Sequence, residues 1–295
     1  MTRRFALFMR TPANTSPPGR RSGIVEVAFQ ETNVHLPFCA LPSRCMSDRA
    51  PLTPSTFDRV FREAAHSDWT KRVIGADLPP EVDPFSFITL DGLHQIARTL
   101  APCRGETLVD LACGRGGPGL WLARQIGAAL VGIDFSPVGI DHARARATEY
   151  TPELSVRYVV ADAAATGLSQ DGASGLVFID AIQLMSHREA VMAETCRLLR
   201  PGARAVFTTW EEPDRLRDLA ALFESAGLIT VAIEARPDWL DRERSIFERA
   251  LSDAPQFPED ESLLSLAAEA LEVLPRMGDC RRVLGIAEKP PRGEP

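Results

Sequence analysis

The sequence predicts an α/β fold: a seven-stranded, mostly parallel sheet with helices on both faces. Three observations carry it. A strand, a glycine-rich turn and a helix succeed one another over residues 107–126. Apolar runs of strand length then alternate with helical periods almost to the C-terminus, and several of those runs end on an acidic residue.

Thr107 to Leu111 read as a short buried strand with Asp110 near its carboxyl end. The strand runs into Ala112-Cys113-Gly114-Arg115-Gly116-Gly117-Pro118-Gly119, after which Leu120, Leu122, Ala123 and Ile126 carry a helical apolar stripe. Such a unit brings bare backbone amides and a helix N-terminus close to a ligand, and Asp110 adds a negative charge that suits an ammonium group. A second strand, Ala-Leu-Val-Gly-Ile-Asp, ends on Asp134, placed to accept hydrogen bonds from ribose hydroxyls, with Phe135 next. A third, Val156 to Val160, is followed by Ala161-Asp162-Ala163. A fourth, Leu176 to Ile179, ends on Asp180 and leads into a loop at 181–187. A helix from Arg188 to Leu199 then stops at Arg200-Pro201-Gly202, because proline cannot continue it and glycine accepts left-handed dihedrals. Strands at Ala205 to Trp210, Ile229 to Ile233 and Arg282 to Ala287, with a helix over 215–226, complete the sheet.

Two kinds of cofactor compete for the glycine loop. Gly114, Gly116 and Gly119 satisfy G-x-G-x-x-G, which admits NAD(P) or FAD. A dinucleotide loop cradles a pyrophosphate, however, and Asp110 would repel it. S-adenosylmethionine carries an α-ammonium and a sulfonium and has no phosphate. The run Val-Asp-Leu-Ala-Cys-Gly-Arg-Gly resembles the first motif of class I S-adenosylmethionine-dependent methyltransferases, with Ala112 in place of the motif's first glycine. The phrase Leu-Leu-Arg-Pro-Gly-Ala-Arg-Ala-Val-Phe-Thr-Thr-Trp-Glu resembles that family's connection into the fifth strand.

The resemblance, over roughly residues 90–290, implies a Rossmann-like sheet and S-adenosyl-L-methionine as cofactor. It implies cofactor contacts at Asp110, Ala112, Cys113, Gly114, Gly116, Asp134, Phe135, Asp162, Ala163 and Ile179. The implied reaction is methyl transfer to an O, N or C atom of a small organic molecule, in the manner of bacterial secondary metabolism; menaquinone-type C-methyltransferases share the core pattern. Two alternatives stand beside it. One is a protein of the same fold that binds S-adenosylmethionine but catalyses cyclisation or hydroxylation; the other is an NAD(P)-dependent oxidoreductase.

Composition narrows the partners. A net charge of −7 disfavours nucleic acid, whose phosphates call for a basic patch. No apolar run approaches membrane-helix length. The six cysteines form no Cys-x-x-Cys pair, which fits free thiols in a cytoplasmic protein. The five histidines show no metal-ligand spacing, so no metal is expected.

Four segments follow. Residues 1–45 form an extension rich in Arg, Pro, Ser and Thr with no sustained period, and Met46 is a candidate start of the working protein. Residues 46–105 form an N-terminal helical cover in which Thr56 caps a helix presenting Phe57, Val60, Phe61 and Ala64. Residues 106–290 are the methyltransferase core. Within it, 237–279 is a helical insertion before the last strand, expected as a lid over the acceptor or, alternatively, as a homodimer surface.

Transfer from a sulfonium is an in-line displacement, so positioning and exclusion of water supply most of the help, and a hydroxyl acceptor also needs a base. His187, beyond the fourth strand, is the candidate base; its alternative is a plain cap of the helix that follows. Asp180 is expected to touch the methionine end or orient the acceptor, with Glu211 a weaker candidate and His94 and His142 structural. Phe57, Phe61, Trp69, Phe85, Phe87, Trp210 and Trp239 are candidate acceptor contacts, against the alternative that they dock the added helices onto the sheet.

Overall fold

The apolar runs pair as their order suggests. In a computed structural model, which describes residues 53–82, 85–211 and 219–292, seven strands form one sheet. They are β1 (Thr107–Leu111), β2 (Ala129–Asp134), β3 (Val156–Val160), β4 (Ala173–Ile179), β5 (Leu199–Glu211), β6 (Ile229–Ala235) and β7 (Arg281–Glu288), in the order β3-β2-β1-β4-β5-β7-β6. β1 lies between β2 and β4, and all pairs from β3 to β5 are parallel. β7 runs antiparallel between β5 and β6, with Thr208 opposite Leu284 and Ile233 opposite Gly285. β4 is buried at every position, as a strand covered on both faces requires.

The helices are α1 (Pro54–His66), α2 (Asp68–Val73), α3 (Leu90–Thr99), α4 (Gly117–Ile126), α5 (Pro137–Tyr150), α6 (Arg188–Leu198), α7 (Leu219–Ser225), α8 (Pro237–Asp253) and α9 (Glu261–Val273). α4 follows β1 and ends on Gly127 at φ 75°, a left-handed cap. Ser136 caps α5 by accepting from the Gly139 amide.

Two local expectations are corrected, and one helix is new. Thr53, not Thr56, caps α1: its hydroxyl accepts from the Thr56 amide, and Pro54 occupies the first turn, where its missing N–H costs nothing. β5 begins at Leu199, directly after α6, because Leu199 pairs with Ala173 before Pro201-Gly202 turns the chain; Gly202 takes φ 77° and donates to Lys289 O. α2 is a short helix with no apolar period to announce it; Ser67 caps it. Residues 1–45, and the start of the helix expected over 215–226, lie outside the described residues.

The two added segments share a core although about 130 residues lie between them in the sequence. Trp69, Ile74 and Phe87 from the N-terminal side pack with Ile246, Phe247, Ala250, Leu263, Leu266 and Ala270 from α8 and α9. The Phe87 and Phe247 rings are 5.3 Å apart. Polar contacts pin the seam: Trp69 Nε1 donates to Asp253 at 2.8 Å, Ser67 Oγ to Asp260 at 2.8 Å, and Arg242 to Ile74 O at 2.8 Å. The segments therefore form one helical cap beside the sheet.

A shared core makes the cap cooperative. Phe247→Ala should cost about 3–5 kcal/mol by leaving a buried void. Limited proteolysis should then show residues 53–82 and 237–279 becoming sensitive together. Cleavage confined to the insertion would show that the two segments fold independently.

Candidate cofactor and acceptor site

The glycine loop is shaped by what must come close to it. At Gly119 a β-carbon would stand 2.1 Å from Asp110 Oδ2, so any side chain there would expel the carboxylate. At Gly116 (φ 80°) it would meet Ala143 at 2.7 Å. Ala112, where the family motif has glycine, sits at φ 59°, a left-handed conformation in which an L side chain is strained.

Asp134, at the end of β2, holds the loop in place. One carboxylate oxygen accepts from the Gly114 amide at 2.8 Å and the other from the Ser136 amide at 2.8 Å. The carboxylate thus ties the β1–α4 turn to the start of α5, and each oxygen keeps lone-pair capacity for a further donor. Burial pushes its pKa up to about 6, against the pull of those amides, and the charge of Asp58 adds to the rise. Asp110 is raised further, to about 8, by burial and by the charge of Asp134, while the Gly119 amide opposes the shift. Two buried carboxyls under a ring of amides fit a cationic ligand that also offers hydroxyl donors. They do not fit a pyrophosphate.

Phe135 is half-buried beside Asp134. Asp162 is exposed beyond β3, its carboxylate accepting from the Ala164 amide, while Ala163 and Ile179 are buried at the same edge of the sheet. Cys113 is buried, and its amide donates to Ile133 O. The expected cofactor contacts therefore gather at the carboxyl ends of β1, β2, β3 and β4.

α1 roofs this cradle. The Phe57 ring meets Phe135 edge-on at 5.2 Å, and Phe61 meets Phe85 at 4.7 Å. A Gly114 β-carbon would lie 3.3 Å from Phe61, so this ring rests on the glycine loop. Arg115 donates to Phe61 O, and Asp58 accepts from Ser136 Oγ. Of the aromatic candidates, Phe57, Phe61 and Phe85 are thus brought to the glycine loop.

The remaining aromatics are packed in. Trp69 and Phe87 belong to the cap core. Trp239 is fully buried against Gly92 of α3, with the Arg236 guanidinium 4.0 Å over its ring. Trp210, at the end of β5, is 5% exposed, and its indole N–H has no hydrogen-bond partner among the described residues.

Asp180 anchors a buried ionic cluster. Its Oδ1 accepts from Arg282 at 2.7 Å and from Thr208 Oγ1 at 2.6 Å, and its Oδ2 accepts from the Phe87 amide at 3.2 Å. Arg282, on β7, also lies 3.4 Å from Glu243 of α8. Asp180 itself is left-handed, at φ 51°. It therefore joins three parts of the fold at the carboxyl edge: the sheet, the N-terminal segment and the insertion. His187 is exposed at the N-cap of α6, and its side chain makes no capping bond. Glu211 is held by Arg281 and by the Leu219 amide at 2.8 Å. His94 packs edge-on against Trp121 of α4. Among the described residues no His, Cys, Asp and Glu group has metal-site geometry.

Asp58, Arg115, Glu243 and Arg282 were not singled out by sequence reasoning. Arg282 carried a faint signal, a charge at an inward position of a strand; the others look like ordinary helix or loop charges.

This topology and loop define a nucleoside-cofactor fold, and the comparisons find a methyltransferase domain within it. Residues 108–202 match a family model described as a methyltransferase domain. The chain is 28% identical over 172 residues to methyltransferase GfsG of Streptomyces halstedii, covering 58% of this chain and 62% of that protein. Among solved structures it is similar to the geranyl diphosphate C-methyltransferase of Streptomyces coelicolor A3(2), with TM-score 0.59 and 17% identity over 81% of this chain and 99% of that one. It is also similar to the [4+2]-cyclase SpnF, with TM-score 0.55 and 20% identity over 67% and 80%. Over residues 108–202 the chain thus matches a methyltransferase domain, and S-adenosylmethionine is the cofactor that the donor set at the glycine loop fits. It spans under two thirds of the length of GfsG.

The raised carboxyls make binding pH-dependent. A cationic ligand selects ionised Asp110 and Asp134, so binding releases protons, and affinity for S-adenosylmethionine should rise as pH passes from 6 to 8. The gain should be on the order of tenfold, and calorimetry in buffers of different ionisation enthalpy should count the released protons. Without ligand the sign is reversed for stability. Both folded pKa values lie above the unfolded one, so this contribution is complete below pH of about 4 and is lost as pH rises through 6 and 8. A flat affinity profile would mean that both acids are already ionised in the free protein.

Ala112→Gly should relieve the left-handed strain. Thermal melting should show a gain of roughly 1 kcal/mol, since glycine adopts this backbone freely. A loss would place the stabilising contribution in the alanine methyl instead.

Proposed function

We propose that the protein transfers the methyl group of S-adenosylmethionine to an O, N or C atom of a small organic acceptor. The acceptor would lie between the carboxyl edge of β1, β4 and β5 and the helical cap. The observation that carries this reading is the pair of buried carboxyls at the glycine loop beneath an aromatic roof. Asp134 would accept the ribose hydroxyls, Asp110 would face the ammonium, and Asp162 would face the adenine amino group. Cys113, Gly114 and Gly116 would contribute backbone, and Ala163 and Ile179 apolar walls.

The bound cofactor supplies an electrophilic methyl, so the chain's own work is placement. Phe57, Phe61 and Phe85 exclude water from the loop. Asp180, held by Arg282 and Thr208, fixes the turn after β4 that borders the acceptor; it positions rather than abstracts a proton. His187 is the one titratable side chain of the loop at 181–187, and it is the candidate base for a hydroxyl acceptor. GfsG, a methyltransferase from a Streptomyces, supports a place in bacterial secondary metabolism, and the helical insertion serves as lid, with a homodimer surface as its alternative role.

A second reading has a specific support: the [4+2]-cyclase SpnF shares the fold. A protein of this kind would retain cofactor affinity without consuming it. Incubation with S-adenosylmethionine and a panel of phenols, hydroquinones and amines, read by mass spectrometry for S-adenosylhomocysteine, separates the two. Acceptor-dependent S-adenosylhomocysteine supports methyl transfer. Tight cofactor binding, with an acceptor converted and no S-adenosylhomocysteine formed, supports the second reading.

For a hydroxyl acceptor, His187→Ala should lower turnover roughly 10²–10⁴-fold with S-adenosylhomocysteine affinity unchanged. The deficit should shrink as pH rises, because an acceptor that ionises unaided no longer needs the imidazole. Near-normal turnover at neutral pH would leave His187 as the start of α6 and nothing more.

A further inference from the structure

We infer that Asp58 makes closure of α1 sensitive to the charge of the bound cofactor, so that the roof holds S-adenosylmethionine more firmly than the neutral product S-adenosylhomocysteine. The inference rests on the cofactor reading above and extends it to a residue outside the glycine-loop motif.

The geometry is specific. Asp58 lies on the inner side of α1 between the two roof contacts, Phe57 on Phe135 and Phe61 on Gly114. Its Oδ1 accepts from Ser136 Oγ at 2.5 Å and from the Val138 amide at 3.4 Å, at the start of α5. Ser136 in turn donates its own amide to Asp134 at 2.8 Å. Seating α1 therefore brings a third carboxylate to a cradle that already contains Asp134 and Asp110. The cation that the loop presents to α1, Arg115, donates to Phe61 O and lies 5.8 Å from the Phe85 ring. Outward on α1, Arg59 pairs with Glu63.

Like charges at this range repel, and a cation among them reverses the sign. S-adenosylmethionine brings a sulfonium and an ammonium against one carboxylate and is a net cation. S-adenosylhomocysteine has lost the sulfonium charge and is neutral overall. The roof is thus drawn down over the reactant and loosened over the product, which favours exchange after each transfer. The proximity of Asp58 also contributes to the raised pKa of Asp134, the same repulsion seen from the other partner.

The test needs no acceptor. Sinefungin has a protonated amine where S-adenosylmethionine has the sulfonium methyl, so calorimetry with sinefungin and with S-adenosylhomocysteine reads the charge preference directly. The wild-type protein should prefer sinefungin. Asp58→Asn should reduce that preference by about threefold or more, weakening sinefungin while sparing S-adenosylhomocysteine. Asp58→Glu should restore it. Ser136→Ala, which removes the hydrogen bond but keeps the charge, should weaken both ligands alike. An unchanged preference in Asp58→Asn, or an equal loss for both ligands, would overturn the inference and reduce Asp58 to a structural contact. Failure of the wild-type protein to bind either ligand would overturn the cofactor reading itself, and this inference with it.

Discussion

The structure depends on keeping two acids buried beneath one loop. Asp110 and Asp134 end neighbouring strands, and both are at least 95% buried. Such groups are tolerable only where donors surround them, and here the donors are backbone amides. That requirement accounts for the loop's composition. Gly119 must lack a β-carbon for Asp110 to reach its amide, and the turn at Gly114 must deliver an amide to Asp134. Burial raises both acids, Asp110 more than Asp134, and a cationic ligand at the loop would offset that cost by favouring their charged forms.

The helical cap answers a different need. A parallel sheet leaves its carboxyl edge open, and chemistry at a sulfonium benefits from a dry enclosure. Two segments from opposite ends of the chain supply the cover by building a core of their own. Trp69, Phe87, Phe247 and their neighbours make that core, and Asp253 and Asp260 lock it. Because the cap is joined to the sheet through Asp180 and Arg282, movement of either added segment is felt at the turn after β4.

Legibility followed the chemistry. The strand–loop–helix unit at 107–126 and Asp134 were readable because close backbone approach demands glycine and an amide-bound carboxylate demands an acid; few other residues would do. Gly119 shows how a correct pattern can have a different cause. It completes G-x-G-x-x-G, yet its structural reason is the approach of Asp110, not of a pyrophosphate. The aromatics were less legible. A phenylalanine that roofs a ligand and one that fills a core have the same composition and the same helical spacing, so Phe61 and Phe87 could not be told apart. The pairing of Arg282 with Glu243 was opaque for a further reason: the two meet only through the pairing of β7 with β5 and the packing of α8 against β7, contacts distant in sequence.

Two strained residues mark the line on which the halves of the site meet. Ala112, just beyond β1, and Asp180, just beyond β4, are both left-handed, and their strands are adjacent. Strain of roughly 1–3 kcal/mol persists only where neighbours over-determine the conformation. Around Ala112 the neighbours are backbone and cofactor-loop hydrogen bonds, which belong to the fold's common core. Around Asp180 they are Arg282, Thr208 and the Phe87 amide, which belong partly to the cap. The turn after β1 is therefore set by the strand–loop–helix unit itself, while the turn after β4 is set partly by the helical cap. A change in the packing of the cap can thus reach the turn after β4 through Arg282 and the Phe87 amide while leaving the amides around Asp110 and Asp134 in place.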